Sequence, residues 1–303
     1  MSKIVVVGSI SMDLVMRTKR IPEGGETIFG DSFNIVPGGK GANQAVAIGR
    51  LSSVEDNIYI FGNVGEDIFS ADLLSNLQNN DISTAYVGTV PQSTGVAQIT
   101  LYGGDNRIIY YPGANNLVKT NDWKNEWKLL SDASIVVLQN EIPHEANLSI
   151  AKFCQENQVK ILYNPAPARE TDKEMIPFCD FITPNEHECS ELFPDKKLEE
   201  IIEIYPNKMI VTLGVEGSIY YDGTAVQKIP AIKAEVVDTT GAGDTFNGAF
   251  AYAISKGKEM NVALSFATIA SHLSVQRFGA QGGMPSLKEI KEHSGYEEIW
   301  DFK

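Results

Sequence analysis

Short runs of β-branched and aliphatic residues recur along the chain, separated by longer stretches of helical spacing. Ile4–Val7, Ile58–Phe61, Ile135–Leu138, Val159–Leu162, Phe181–Thr183 and Met209–Leu213 read as strands. Their apolar character is continuous rather than alternating, which suits strands covered on both faces. Between several of them, Gly41–Leu51, Phe69–Asn79, Glu145–Asn157 and Glu186–Leu192 read as helices. Towards the C-terminus the helical reading continues over Phe246–Lys256 and Asn261–Gln276. This alternation predicts an α/β fold, with a mostly parallel central sheet flanked by helices on both faces. No Pro/Gly/Ser linker interrupts the chain, so residues 1–303 are expected to form a single domain.

Residues Met12–Pro37 and Thr84–Gly113 break the pattern, being turn-rich and without helical period. Thr94–Tyr102, the turn Gly103–Asn106 and Arg107–Tyr111 read as a β-hairpin. These segments are expected to form a small antiparallel sheet beside the main one. A lid over a cleft is the functional reading; a structural flap or a dimer interface is the plainer one, and the readings are compatible.

Composition narrows the partners. The formal net charge is −14, which argues against nonspecific binding to nucleic acid or an anionic membrane. No apolar run approaches the ~18 residues of a membrane span, and Ile4–Val7 is too short for a signal-peptide core. Cys154, Cys179 and Cys189 are an odd, sparse set with no disulfide framework. A reduced, cytoplasmic protein is the expectation.

Two glycine clusters carry the chemistry. In Asp238-Thr-Thr-Gly-Ala-Gly-Asp-Thr-Phe246, glycines stand between two aspartates at the start of a helical run from Asn247 to Ile254. Glycines there let backbone N–H groups point at an anion, and the helix N-terminus favours a phosphate. A carboxylate beside such a loop, Asp244, can take a proton from an attacking hydroxyl; a turn with a helix cap is the plain alternative. The second cluster, Gly38-Gly-Lys-Gly-Ala-Asn-Gln44, leads into Ala45–Leu51 and suits the binding of hydroxyl groups. It lacks the P-loop pattern, and Gly8-Ser9-Ile10-Ser11 after the first strand lacks the dinucleotide fingerprint.

Together with Gly8-Ser9 and Asp13, Asn164–Ala168, Thr183-Pro-Asn-Glu186 with Glu188, and Thr212-Leu-Gly214, these clusters occur in an order that resembles the ribokinase, or PfkB-type, family of sugar kinases, from about residue 4 to about residue 285. The resemblance implies a ribokinase-like three-layer fold with a small β-sheet lid at about 12–37 and 84–113. It implies ATP-dependent phosphorylation, and Gly39–Ala45 and Asn164–Ala168 narrow the implied reaction to the 5-hydroxyl of D-ribose. Asp244 would be the general base, with Gly241, Ala242 and Gly243 as the anion hole. Ser11, Met12, Asp13, Gly39, Lys40, Gly41, Ala42, Asn43 and Glu141 would bind the sugar. Asn185 and Glu188 would lie near the phosphates and Mg²⁺. Thr212, Leu213, Gly214, Val215, Glu216 and Gly217, with Gly243, Asp244 and Thr268, would complete the nucleotide site. The family also implies a monovalent cation, usually K⁺, at Asp238, Thr240, Ser274, Arg277, Gly279 and Gly283, and a homodimer through the lid is expected. Ser11 departs from the pattern: the family's bacterial members often carry Asn there, and the shorter serine leaves that sugar contact water-mediated or missing.

Other features read as structural. Cys179, His187 and Cys189 match no zinc spacing. Trp123 and Trp127 suit packing on an amphipathic helix, His144 suits the surface, and Glu199, Glu200 and Glu203 suit a solvated helix face. Three other activities compete: another kinase of the family acting on deoxyribose, fructose or a nucleoside; a sugar-binding regulator with a dead site; and a dinucleotide-dependent oxidoreductase.

Overall fold

A computed structural model of the chain describes residues 2–302 apart from 104, 121, 122, 124 and 125. Its strands are β1 (Lys3–Val7), β2 (Ser11–Arg17), β3 (Ser32–Gly38), β4 (Asn57–Gly65), β5 (Ile82–Val90), β6 (Gly95–Tyr102), β7 (Asp105–Tyr111), β8 (Ile135–Gln139), β9 (Ile161–Asn164), β10 (Phe181–Ile182), β11 (Ile210–Thr212), β12 (Ser218–Tyr221) and β13 (Val226–Ile229). The helices are α1 (Lys40–Leu51), α2 (Ser70–Gln78), α3 (Trp127–Ser131), α4 (His144–Glu156), α5 (Glu186–Leu192), α6 (Leu198–Ile204), α7 (Ala242–Ser255), α8 (Met260–Ser274), α9 (Ala280–Gly283) and α10 (Leu287–Glu292).

The main sheet has the order β10-β9-β8-β1-β4-β5, and every neighbouring pair is parallel. Its central strand shows why. Ile4 and Val6 pack into one core, with side chains of α1, α2, α7 and α8, while Val5 and Val7 pack into another, with side chains of α4, α5 and α6. A strand buried on both faces carries no polar position, hence the unbroken apolar run. The antiparallel strands β11–β13 continue this sheet, since Met209 and Thr212 bridge in parallel to Ile182 and Asn185.

A second sheet, β3-β2-β6-β7, rises from the end of β1. It is mixed rather than purely antiparallel, because β2 and β6 run parallel. The expected hairpin is β6–β7; of its turn, Gly104 lies outside the described residues. Residues 84–90 do not belong to this sheet: they form most of β5 and pair with β4 at the edge of the main sheet. Their turn-rich composition reflects an edge position, half covered and half open. The helix expected from Phe246 begins at Ala242, so Gly241 caps it and Gly243 and Asp244 lie in its first turn. Strands β12 and β13 had no counterpart among the expected elements. Trp123 packs edge-on against Phe61 and Trp127 against Phe153, so both serve packing. The three cysteines are free and buried.

Candidate active site

The site lies on the carboxyl edge of the main sheet, where the chain departs to opposite sides from β1 and β8. Open parallel sheets bind ligands at such a reversal, because loops there diverge and leave a crevice. Ser9 follows β1 and Glu141 follows β8, and the Ser9 hydroxyl donates to Glu141 Oε2 at 2.5 Å. The same oxygen accepts the Lys40 backbone N–H at 2.9 Å. Helix α1 has no side-chain cap of its own at Gly39, so Glu141 closes its first turn from a distant strand.

Asp244 sits in the first turn of α7 and is 7% exposed. The N-cap, Gly241, has φ 77° and contributes no side-chain cap. A residue with Cβ would be strained in that left-handed conformation and would strike Ala280, at 2.7 Å from its Cα. The helix thus begins without a side chain over its N-terminus, as an anion requires.

Both oxygens of Asp244 accept side-chain amides from α1. Asn43 Nδ2 donates to Oδ2 at 2.9 Å and Gln44 Nε2 to Oδ1 at 3.0 Å. Gln44 Nε2 also reaches Asn164 Oδ1 at 3.2 Å, and its own carbonyl accepts Gln139 Nε2 at 2.8 Å. Asn43 Oδ1 accepts Gln281 Nε2 at 2.9 Å.

Asp13, on β2, faces the same space. Burial raises its carboxyl from 3.8 to about 7; Glu141 and Asp244 add to the shift and Lys40 opposes it. For Lys40, desolvation would lower the ammonium, but Asp244, Glu141, Glu188 and Asp13 outweigh it and the value is raised. Glu188 is likewise raised, by burial and by Asp244, against the Asn185 N–H and Lys40. Four carboxylates therefore share one ammonium, a surplus of negative charge that favours an added cation.

Five of the expected sugar residues, then, converge: Asp13, Lys40, Asn43, Glu141 and Asp244 lie in mutual range, whereas Ala42 packs in the core and the N–H groups of Gly41 and Ala42 are taken by Ser9. Ser11 is fully buried, and its hydroxyl is committed, accepting Asn115 Nδ2 at 3.0 Å and lying 3.4 Å from Tyr110 Oη. Met12 is buried at 3% exposure. Asn185 and Glu188 form a reciprocal cap on α5, each side chain receiving the other's backbone N–H at 2.8 Å. Leu213 precedes a single turn, Gly214–Glu216, between β11 and β12, with Val215 almost fully exposed and Glu216 paired to Lys228 at 3.2 Å. The hydroxyl of Thr268 donates to Leu264 O within α8.

The two segments expected around a monovalent cation are in contact. Asp238 accepts the N–H groups of Thr240 and Gly279, both at 2.9 Å. The Arg277 side chain turns away to Glu289 at 2.5 Å, and Gly283 approaches so closely that a Cβ would lie 2.1 Å from Ser274 O. Among the described residues, no group of three or more His, Cys, Asp or Glu side chains is arranged to hold a metal ion.

A cleft of about 530 Å³ opens between the small sheet and the loop before Gly241, lined by Arg17, Leu101, Tyr102, Val237, Thr239 and Thr240 among others. It does not reach Asp13 or Asp244. The charged groups converge away from this cleft, around Asp13, Lys40 and Asp244.

Residues without an assigned role in the motifs complete the site: Gln44, Tyr110, Asn115, Gln139 and Gln281. Gln44 stood inside a quoted motif. Asn115 and Gln281 are separated from their partners by 104 and 238 positions, and no local pattern announces them.

A family model for the pfkB family carbohydrate kinases matches residues 1–287. The chain is 60% identical to a ribokinase of Lactococcus lactis subsp. lactis over 96% of each chain. It is 34% identical to a deoxyribokinase of Salmonella typhi, covering 97% of this chain and 99% of the other. Among solved structures, an Arabidopsis thaliana ribokinase complexed with ribose and ATP superposes with TM-score 0.85 at 32% identity, over the whole of both chains.

Proposed function

We propose, from the premise that this chain belongs to the pfkB family of carbohydrate kinases, that it transfers the γ-phosphoryl group of ATP to the 5-hydroxyl of D-ribose, with Asp244 as general base. The observation that carries this reading is the meeting of two helix N-termini, α1 and α7, around a buried carboxylate held at both oxygens. The 60% identity to a ribokinase supports the choice of sugar.

Asp13 and Asn43 accept and donate to neighbouring sugar hydroxyls, and Lys40 keeps the carboxylate cluster from excess repulsion. Asp244 takes the proton of the attacking hydroxyl as the new P–O bond forms and the bond to the leaving ADP breaks. The N–H groups of Gly241 and Gly243 bear the charge that develops on the transferred group, while that of Ala242 donates to Thr239 O at 3.2 Å. Mg²⁺ suits the surplus of carboxylates; Glu188 and Asn185 would hold it through water, as its geometry favours, and when bound it neutralises phosphate charge. A monovalent cation suits the backbone oxygens of the 238–240 and 274–283 segments, because the Asp238 carboxylate and the Arg277 side chain are already engaged. The small sheet acts as a lid whose closure excludes water and prevents wasteful hydrolysis of ATP. Its outer apolar face pairs two copies of the chain. Free cysteines and dependence on ATP suit the cytoplasm.

Deoxyribose phosphorylation is the second reading, favoured by the deoxyribokinase relative and by Ser11, whose hydroxyl is taken up by Asn115 and Tyr110. A coupled assay for ADP release with ribose, 2-deoxyribose, fructose and adenosine separates them. Ribose is expected to give the highest kcat/KM; a higher value for any other member of the panel sinks the assignment.

A further inference from the structure

Two rows of side-chain amides end on Asp244, and all of them point the same way. In the longer row Asn76 Nδ2 donates to Gln281 Oε1 at 2.7 Å, Gln281 Nε2 to Asn43 Oδ1 at 2.9 Å, and Asn43 Nδ2 to Asp244 Oδ2 at 2.9 Å. In the shorter row Gln139 donates to Gln44 and Gln44 to Asp244 Oδ1. An amide is nearly symmetric in shape but opposite in polarity at its two ends. Turned over, Asn43 would set its carbonyl oxygen against a carboxylate oxygen, and Asp244 would lose a donor. What holds Asn43 the right way round is the N–H that Gln281 places on its Oδ1.

Gln281 is well placed to do this. It is 5% exposed and comes from α9, and its backbone carbonyl accepts Arg50 Nη1 at 2.6 Å. Arg50 stands at the far end of α1, the helix that carries Asn43 at its start. Helix α9 is thereby tied to both ends of α1, and the Gln281 amide cannot drift without breaking that tie. Hydrogen bonds in such a row polarise one another, so each link strengthens the next.

We infer that Gln281 is a positioning residue for the phosphoryl transfer: acting through Asn43, it orients the Asp244 carboxylate and leaves a lone pair free for the sugar hydroxyl. This rests on the reading of Asp244 as general base. Gln281 is hydrogen-bonded to Asn43 and Asn43 to Asp244, so its effect on the carboxylate passes through Asn43, and that makes it measurable.

The experiment is a double-mutant cycle in kcat with ribose and ATP. Gln281→Met keeps the length of the side chain and removes the donor. It is expected to lower kcat about tenfold, the usual scale for a buried polar group left without its partner, with the KM for ATP unchanged. In the Asn43→Ala background the same substitution is expected to change kcat by less than about twofold, because the link it supplied is already gone. Gln281→Glu, similar in shape but with an acceptor where the donor stood, is expected to lower kcat more than Gln281→Met, and likewise only when Asn43 is present. Should the apolar variant not fold, Gln281→Glu carries the cycle alone. An equal loss in both backgrounds would show a packing role and overturn the inference, as would no loss in the wild-type background. Asp244→Asn, assayed alongside, reports on the base itself: if it retains activity, the reading of Asp244 fails independently of Gln281.

Discussion

A carboxylate that is to take a proton must be aimed as well as ionised. Two amide donors aim Asp244, one on each oxygen. Asp244→Asn keeps the shape of the side chain and cannot accept the proton. Its kcat is expected to fall by ~10²–10⁴-fold with ribose and ATP binding largely kept; a variant retaining more than about a tenth of wild-type kcat refutes the role. Asp13 gives a prediction in pH. Its ordinary value is 3.8 and its folded value about 7, so between them the folded chain holds a proton that the unfolded chain has released. The stability from this group is fully present below about 3.8 and is lost as pH rises through about 7. The full difference is at most roughly 4 kcal/mol. Without ligand, Asp13→Asn should therefore gain on wild type as pH rises from about 4 to about 7 and level off above that, read as the gap in melting temperature. A gap that stays constant over that range would show that Asp13 is not buried as described.

At the scale of elements, the geometry of the base depends on how closely α1 and α7 approach. Gly248 permits the contact, because a Cβ there would lie 2.6 Å from Ala47 Cβ and 2.9 Å from Gln44 O. Neither neighbour is the free end of a flexible chain. Gly248→Ala is expected to force the helices apart, costing about 1–3 kcal/mol of stability, and to lower kcat by moving Asn43 and Gln44 off Asp244. Chemical denaturation and initial rates on the same preparation check this; wild-type stability with wild-type kcat would mean that the helices yield without cost. The loop before α7 leans on the segment after α8 through Asp238. A cation on their backbone oxygens would stiffen Gly241–Gly243 without touching substrate. Initial rates are therefore expected to rise with KCl when tetramethylammonium chloride holds ionic strength constant. A flat response would mean that Asp238 closes the loop by itself.

At the scale of the molecule, the small sheet leaves the outer part of one face uncovered, while Met12 and Leu14 on that face pack against the main core. The register puts Asp13, Val15, Ala97, Ile99, Val36 and Tyr110 on one side, facing the site. The alternate positions, Met16, Phe33, Ile35, Ile109 and Tyr111, lie on the other, and half or more of Phe33, Ile35, Ile109 and Tyr111 is open to solvent. A small sheet with an apolar face needs cover, and the same face of a second copy would supply it under two-fold symmetry. Light scattering is expected to give a dimer, and Ile35→Glu with Ile109→Glu a monomer. A wild-type monomer at high micromolar concentration counts against the pairing.

What the sequence by itself determined follows from local physics. The unbroken apolar runs at Ile4–Val7 and Ile135–Leu138 announced strands covered on both faces, and a parallel sheet is what buries such strands. The glycines around Asp244 and Asn43 announced two helix starts, because glycine takes the positive φ of Gly39 and Gly241 and lets the backbone of Gly41 approach Ser9 closely. The departure at Ser11 was also visible, though not that Asn115 and Tyr110 take up its hydroxyl. Only the tertiary structure decided which distant residues would share a site. Residues 84–90 left the small sheet for the edge of the main one because pairing with β4 extends the larger ladder, a choice that alternation alone cannot make. The Asp13 shift needs burial together with Glu141 and Asp244, carboxylates from other elements. Asn76, Gln281, Asn43 and Asp244 form one row only when α2, α9, α1 and α7 are packed together. A side-chain amide carries no mark of its partner; its orientation is set by whichever donor the fold brings within about 3 Å.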